Sequence, residues 1–322
     1  MIDKNSTKAE VLEAVQQDGR ALRHSSEVLR GDREVVLAAV SRRGNLLEYA
    51  SEELRGDRHV VMAAVKHFAP SALIYASAEL RADREVVLAA VSHSGFALKY
   101  ASEELRGDKE VVLEAVKQTG WALPYASGVL RNDREVLLAA VKNKGGALKY
   151  ASEELRGDKD VVLAAVSRRG NLLEYASEEL RGDRDVVMAA VKQNGFALQY
   201  ASKELRADRE VVLEAVTQWW GALKYASEEL KGDREVMLAA VKQEGWAALR
   251  YASGELKNDP SVAFEAMKNN LHACRLFGSA LVEAILTTLD SDNDGIGAAN
   301  EMPVAWEQAL NAHGWMRGWV RS

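Results

Sequence analysis

Few residues of this chain combine the types and the spacing that chemistry requires. The six histidines are scattered without metal-ligand spacing, and no phosphate-binding glycine loop or nucleophile motif occurs. Cys274 is the single cysteine, which forbids an internal disulfide and favours an intracellular setting, in the cytoplasm or an organelle. The exception is an acidic run from Asp290 to Glu301, whose carboxylate oxygens suit a hard cation such as calcium. We therefore expect no enzyme, and calcium is the one candidate cofactor.

The acidic run resembles the calcium loop of an EF-hand. The ligands that this resemblance implies are the carboxylates of Asp290, Asp292, Asp294 and Glu301 and the main-chain carbonyl of Ile296. Two residues depart from the pattern. Gly297 replaces the residue that normally pairs with a second hand, and Pro303 would remove a hydrogen bond early in the exiting helix. The alternative to a calcium site is an acidic turn that joins two capping helices.

A period of about 25 residues runs through most of the chain and must position every other feature. Its most regular residue is an aspartate, at Asp32, Asp57, Asp83, Asp108, Asp133, Asp158, Asp183, Asp208, Asp233 and Asp259. Such self-similarity predicts an all-α fold, an α-solenoid of about ten to eleven two-helix repeats over residues 7–281. A helical, EF-hand-like cap over residues 282–322 would follow. Residues 41–57 recur unchanged at 167–183, which indicates two duplicated five-repeat blocks and a degraded final unit.

Each repeat contains the signals of a long helix and a second helical segment. The aspartate is expected to be the N-cap of the long helix, and Thr7 takes that place in the first repeat, with Glu10 completing a capping box. Gly120 and its equivalents are expected to end the helix as left-handed C-caps. A second helix follows. Ser127 is able to restart its last turn, so the sequence leaves the continuity of this helix open.

The repeated motif is D-[RK]-E-V-V-L-x-A-V-x-x-x-G-x-A-L-x-Y-A-S-x-E-L-[RK]. It resembles a tandem helical repeat family of the "domain of unknown function" class, and the likeness covers roughly residues 7–281. The resemblance implies an all-helical array. It implies no activity, because the family is functionally uncharacterised.

Two features recur in nearly every repeat. All nine tyrosines occupy one position, which favours a packing ladder, with a row of ligand-stacking rings as the alternative. Glu103, Glu104 and Arg106, with their equivalents, predict charged rows on a solvated face. Both are therefore interpreted as parts of the framework.

The turn after the long helix varies from repeat to repeat and carries most of the large aromatic residues. Its candidate partner-binding residues are Phe68, Phe96, Trp121, Phe196, Trp219, Trp220 and Trp246. Variable turns on a rigid array are typical of binding surfaces, and tryptophan is frequent at binding hot spots. The alternative is that each ring covers its own helix end.

These observations favour a protein-binding scaffold or a fixed subunit of a larger assembly. A calcium-responsive adaptor that uses the C-terminal loop is the alternative. The net charge of −6 disfavours a nucleic-acid partner, and no apolar run is long enough for a transmembrane span. The identity of the protein partner does not follow from the sequence.

Overall fold

The computed structural model describes residues 2–66 and 72–269, apart from the side chains of residues 244–246, 268 and 269. All regular elements in this part of the chain are helical, which confirms the all-α repeat fold. The long helices here are α1 (Lys8–Gln17), α2 (Arg33–Val40), α3 (Arg58–Lys66), α4 (Arg84–His93), α5 (Lys109–Gln118), α6 (Arg134–Asn143), α7 (Lys159–Val166), α8 (Arg184–Gln193), α9 (Arg209–Gln218), α10 (Arg234–Glu244) and α11 (Pro260–Asn269). None of the helices in these ranges has the length and apolar character needed to cross a membrane.

The long helices begin where the sequence supplies a side-chain oxygen. Asp83 accepts hydrogen bonds from the backbone N–H groups of Glu85 and Val86, at 3.0 and 3.1 Å. Thr7 and Glu10 form the predicted capping box at the start of α1. These bonds satisfy N–H groups that have no partner within the helix. The predicted caps are therefore confirmed.

Four positions of the long helix carry the core. In α5 they are Val111, Val112, Ala115 and Val116, all with 0% exposed surface. The buried band is wide because α5 packs against α4, α6 and the second half of its own repeat. Leu113 lies just outside this band and is half-buried.

The second half of the repeat is not one continuous helix. In the fifth repeat a 3-10 helix, Gly120–Tyr125, is followed by a four-residue α-helix, Gly128–Arg131. Ser127 caps the short helix by accepting a hydrogen bond from the Leu130 N–H at 3.3 Å. The restart that the sequence left open therefore occurs.

The same two segments recur along the chain. The other 3-10 helices are Gly19–His24, Gly44–Tyr49, Gly95–Tyr100, Gly145–Tyr150, Gly170–Tyr175, Gly195–Tyr200, Trp220–Tyr225 and Gly245–Tyr251, and the α-helix Ala72–Tyr75 takes this place in the third repeat. The short helices are Glu27–Arg30, Glu52–Arg55, Ala78–Arg81, Glu103–Arg106, Glu153–Arg156, Glu178–Arg181 and Glu228–Lys231. The 3-10 turns Leu205–Ala207 and Leu256–Asn258 replace the short helix in two repeats.

The expected left-handed C-cap at Gly120 is wrong. Helix α5 ends at Gln118, its C-cap Thr119 has an extended backbone (φ −151°, ψ 123°), and Gly120 opens the 3-10 helix without a positive φ. The glycine is needed for a different reason. A Cβ atom at Gly120 would collide with the carbonyl oxygen of Ala140 in the next repeat. At this position of the fifth repeat, only a residue without a Cβ atom fits between the two backbones.

The chain divides into two compact units, Met1–Ala165 and Val166–Ser322. Within each unit, neighbouring repeats are joined by the same few bonds. In the first unit the N–H of Ser127 donates to the carbonyl of Arg106 at 2.8 Å, and Arg84 pairs with Asp108 at 3.0 Å. In the second unit Ser202 donates to Arg181 at 2.8 Å in the same way. Stacking thus repeats one interface rather than building one large core.

Candidate interaction surfaces

The 3-10 helices present their most variable residues outward. Counted from the cap, the variable positions are the thirteenth and sixteenth, occupied by Phe96 and Lys99 in the fourth repeat. A 3-10 helix has three residues per turn, so these two positions lie above each other on one side. The intervening Ala97 and Leu98 are fully buried. We call the outward row of thirteenth and sixteenth positions the 3-10 edge.

Two predicted residues of the first unit, Phe96 and Trp121, lie on the 3-10 edge with large exposed fractions, 45% and 37%. The Phe96 ring meets Tyr125 edge-on at 6.5 Å, and Trp121 meets Tyr150 at 6.3 Å. Trp121 also covers Gly146, because a Cβ there would lie 2.7 Å from Trp121 Cη2. Each ring therefore packs across the junction with the next repeat and still offers a free face.

Three predicted residues of the second unit, Phe196, Trp219 and Trp220, form a chain of ring contacts and are half-buried. Phe196 and Trp219 lie 5.5 Å apart, and Trp219 and Trp220 lie 6.5 Å apart, measured between ring centroids. Tyr225 lies 5.9 Å from Phe196, and Tyr251 lies 6.5 Å from Trp220. These three rings are therefore more buried than the ring of Trp121.

Trp219 and Trp220 occupy unusual positions of their repeat. Trp219 covers Gly221, at which a Cβ would collide with the indole ring. Trp220 stands where most other repeats carry the glycine of the close backbone approach. Its N–H donates to Gln243 Oε1 at 3.0 Å, and the Gln243 amide donates to the carbonyl of Thr217. The side-chain amide thereby bridges two stacked repeats.

The same amide bridge occurs in the first unit. Asn143 accepts from the N–H of Gly120 at 3.0 Å and donates to the carbonyl of Lys117 at 2.8 Å. Asn143 and Gln243 share one repeat position, ten residues after the cap. This position therefore joins the end of one long helix to the next repeat.

The tyrosines are half-buried and belong to the frame of the array. Burial, with the Glu48 carboxylate that accepts the phenol hydrogen bond, raises the pKa of Tyr75. Lys99 Nζ lies 5.8 and 6.0 Å from the ring centroids of Tyr100 and Tyr125. The packing interpretation of the tyrosine row is the one that these contacts support.

Several predicted site residues lie outside the described part. They are Phe68, the side chain of Trp246, and the loop residues Asp290, Asp292, Asp294, Ile296 and Glu301. In the described ranges, no group of three or more His, Cys, Asp or Glu side chains is arranged to hold a metal ion. The calcium site stays a prediction from the sequence.

The structure reveals a second surface that the sequence reasoning missed. The residue five positions after the cap is apolar in every described long helix and is half-buried. In the first unit this row consists of Leu12, Leu37, Met62, Leu88, Leu113, Leu138 and Leu163. A signal was present, because this fifth apolar position repeats as strictly as the four core positions. Periodicity alone does not tell a covered row from an open one.

The open row forms the floor of a depression across α3, α4 and α5. This depression of about 540 Å³ is lined by Met62, Glu85, Leu88, Ala89, Ser92, Glu110, Leu113, Glu114 and Lys117. We call the surface that combines this row with the helix ends on either side the long-helix groove. Glu85 and Glu110 line one side of the depression and Lys117 lies at the other, so the two sides carry opposite charges.

Comparisons with known proteins give one result. Neither the curated proteins nor the solved structures contain a match to the chain. A family model described as "Domain of unknown function (DUF4116)" matches five consecutive segments, residues 11–55, 57–106, 108–156, 158–206 and 208–253. Each segment spans two of the 25-residue repeats, so the unit of the family is a repeat pair. Since these segments cover most of the chain, the protein belongs to the DUF4116 family.

Proposed function

We propose that this protein is a non-enzymatic, protein-binding scaffold or fixed subunit of a larger assembly, and that it binds through the 3-10 edge. One observation carries this proposal. The outward-facing positions of this edge differ between repeats, whereas the two positions between them are nearly constant and buried. A constant frame with variable exposed side chains is the arrangement by which repeat proteins gain specificity.

The chemistry of the edge supports a protein partner. Phe96 and Trp121 expose apolar surface that is already held in place by Tyr125 and Tyr150. Such preorganised rings lose little conformational entropy on binding, and they are typical hot-spot residues. Many of the arginines and lysines next to the caps are paired with carboxylates, as Arg84 is with Asp108 and Glu110, and do not form a free basic strip for nucleic acid.

The test is affinity purification of the native protein followed by quantitative mass spectrometry. In the double variant Phe96→Ser, Trp121→Ser, the affinity for the main partner should fall by about 30-fold or more, as expected for hot-spot rings. Val28→Ser together with Val129→Ser is the matched control, because these valines are 81% and 82% exposed and lie on short helices, away from the edge. The control should keep the partner.

A second measurement separates binding from folding. Thermal unfolding of the double variant should remain cooperative, with a loss of about 1–3 kcal/mol for two edge-on ring contacts. An unchanged partner list for the folded double variant would contradict the proposal. So would equal loss of the partner in the valine control.

A further inference from the structure

We propose that the long-helix groove across α3, α4 and α5 receives an amphipathic α-helix from a protein partner, with acidic residues on one flank of that helix and basic residues on the other. This surface is separate from the 3-10 edge, and the inference does not depend on the function proposed there. It rests on the apolar floor, on the opposite charges of the two sides, and on one acidic residue within the floor.

The floor exposes apolar side chains that the fold itself does not need on the outside. Met62, Leu88 and Leu113 are half-buried, while the four core positions of each helix are already fully covered by neighbours. Stacked helices lie about 8–10 Å apart, so the row offers a regular series of apolar contacts along the array. A contiguous, half-buried apolar row of this kind is available for contact with a partner.

One side of the groove is acidic. It is formed by the first turns of the long helices, with Asp83 and Glu85 in α4 and Asp108 and Glu110 in α5. Several basic residues there pair with two acids of the next repeat, as Arg84 pairs with Asp108 and Glu110, whereas Arg33 pairs with Asp57. Most repeats thus carry one acid more than they carry bases on this side.

The opposite side is basic. It is formed by the last turns and the residues just after them, including Lys66, Lys117, Lys142 and Lys144. From the second to the sixth repeat, the described residues nine, ten and eleven positions after the cap include no Asp or Glu. The polarity has a physical cause, because helix dipoles favour acids in the first turn and bases in the last. Stacking the long helices adds these preferences into an acidic side and a basic side, and the basic side is interrupted at the end of α4, where Ser92, His93 and Ser94 hold these positions.

The opposite charges of the two sides indicate which kind of partner fits the groove. A helix with one apolar face places side chains on both flanks of that face, so one flank meets the acidic side and the other meets the basic side. An anionic membrane would be repelled by the acidic side. In the described part of the chain, no strand is available to pair with an extended peptide. The backbone N–H and C=O groups of such a peptide would lie on the apolar floor without hydrogen-bond partners, which is unfavourable.

Glu114 makes the inference more specific. It lines the depression at the position where the neighbouring repeats have Ala89 and Ala139. A carboxylate in an apolar floor favours a single Lys or Arg in the apolar face of the partner helix. The partner helix is therefore expected to carry an apolar stripe interrupted by one basic residue.

The experiment uses fluorescein-labelled helical peptides of about 20 residues with the full-length protein, read by anisotropy. The test peptide has a leucine stripe with one central lysine, glutamates on one flank and lysines on the other. Two control peptides keep the stripe but have glutamates, or lysines, on both flanks. We expect the two-sided peptide to bind about tenfold tighter than either control.

Protein variants locate the site. Glu114→Lys should weaken the two-sided peptide by about tenfold or more, since like charges meet in the floor. Glu13→Lys is the matched control, because Glu13 holds the same repeat position in α1, away from the depression, and binding should not change. Phe96→Ser, Trp121→Ser should also bind normally, which separates this surface from the 3-10 edge. Equal binding of all three peptides, or an equal effect of Glu114→Lys and Glu13→Lys, would overturn the inference.

Discussion

The long-helix groove and the 3-10 edge both face solvent, but the residues of the groove are nearly constant between repeats, whereas those of the edge vary. The groove has Leu or Met at the same position in nearly every described long helix, with Phe264 in α11. The edge has Phe96, Trp121, Gly146 and Asn171 at one position of four successive repeats. A constant apolar row suits a ligand that follows the array, whereas a varied row suits contacts that differ from point to point. Exposure alone therefore does not define a binding surface, since the two patterns imply different partners.

Acid should weaken the capped ends of the long helices in most repeats at once. The backbone N–H of Val86 lowers the pKa of Asp83, with Arg58 adding to the effect, and Asp108 and Asp208 are lowered in the same way. The folded protein then holds fewer protons than the unfolded chain around pH 3, so protonation favours unfolding. The thermal midpoint should be nearly flat from about pH 7 to 5 and fall below about pH 4.

The control for this prediction is Asp83→Asn, measured by circular dichroism over the same pH range. Asparagine still caps a helix but does not titrate, so the fall below about pH 4 should become slightly shallower. A fall that is complete between about pH 7 and 5 would show that groups other than these aspartates govern stability.

Gly120→Ala should break the frame on which both surfaces depend. The added methyl group would collide with the Ala140 carbonyl, so the two repeats must separate. We expect a loss of about 2–3 kcal/mol in the free energy of unfolding, measured with urea. Gly128→Ala is the matched control, because its Cβ meets only Arg131 Nη2 at 3.8 Å and should gain a few tenths of a kcal/mol, as alanine favours helices. Similar losses at both sites would refute the close-approach argument.

Single-ring variants should compare a ring of the 3-10 edge, Trp121, with Trp219, which lies in the turn just before that edge. Trp219→Ala should cost about 2 kcal/mol in stability, because this ring covers Gly221 and contacts both Phe196 and Trp220. Trp121→Ala should cost about 1 kcal/mol, because more of that ring is already exposed. Urea unfolding of the two variants measures the difference. A larger loss at Trp121 would mean that its ring is primarily a framework residue.

The smallest effect is expected for the ion pairs along the acidic side of the groove. Arg84→Gln removes the contacts with Asp108 and Glu110, but Arg84 is 46% exposed and its pairs are therefore screened by solvent. We expect a small loss of stability at low salt that disappears at about 1 M salt, because solvent and salt screen exposed charges. Arg131→Gln, at an exposed position of a short helix, is the control and should show less dependence on salt. A loss that persists at high salt would assign Arg84 a packing role.

Much of the fold was predictable from local signals. The aspartate period and the capping box at Thr7 predicted the long helices, because capping acts within a few residues. The aromatic residues of the 3-10 edge were also predictable, since variation against a constant repeat is visible in the sequence. Whether Ser127 restarts a helix was not predictable, because Ser also occurs inside helices and the decision depends on packing against the neighbouring repeat.

By itself, the sequence determined the all-helical class, the repeat and the residues that vary. Only the tertiary structure decided whether each position is covered by a neighbouring repeat or open to solvent. Gly120 reads as a helix terminator, yet its role is the close approach to Ala140, which belongs to the next repeat. Leu113 reads as one more core residue, yet it lies open in the groove. The physical reason is the same in both cases, because stacking brings together residues about one period apart and no local pattern encodes which side of a helix its neighbours leave uncovered.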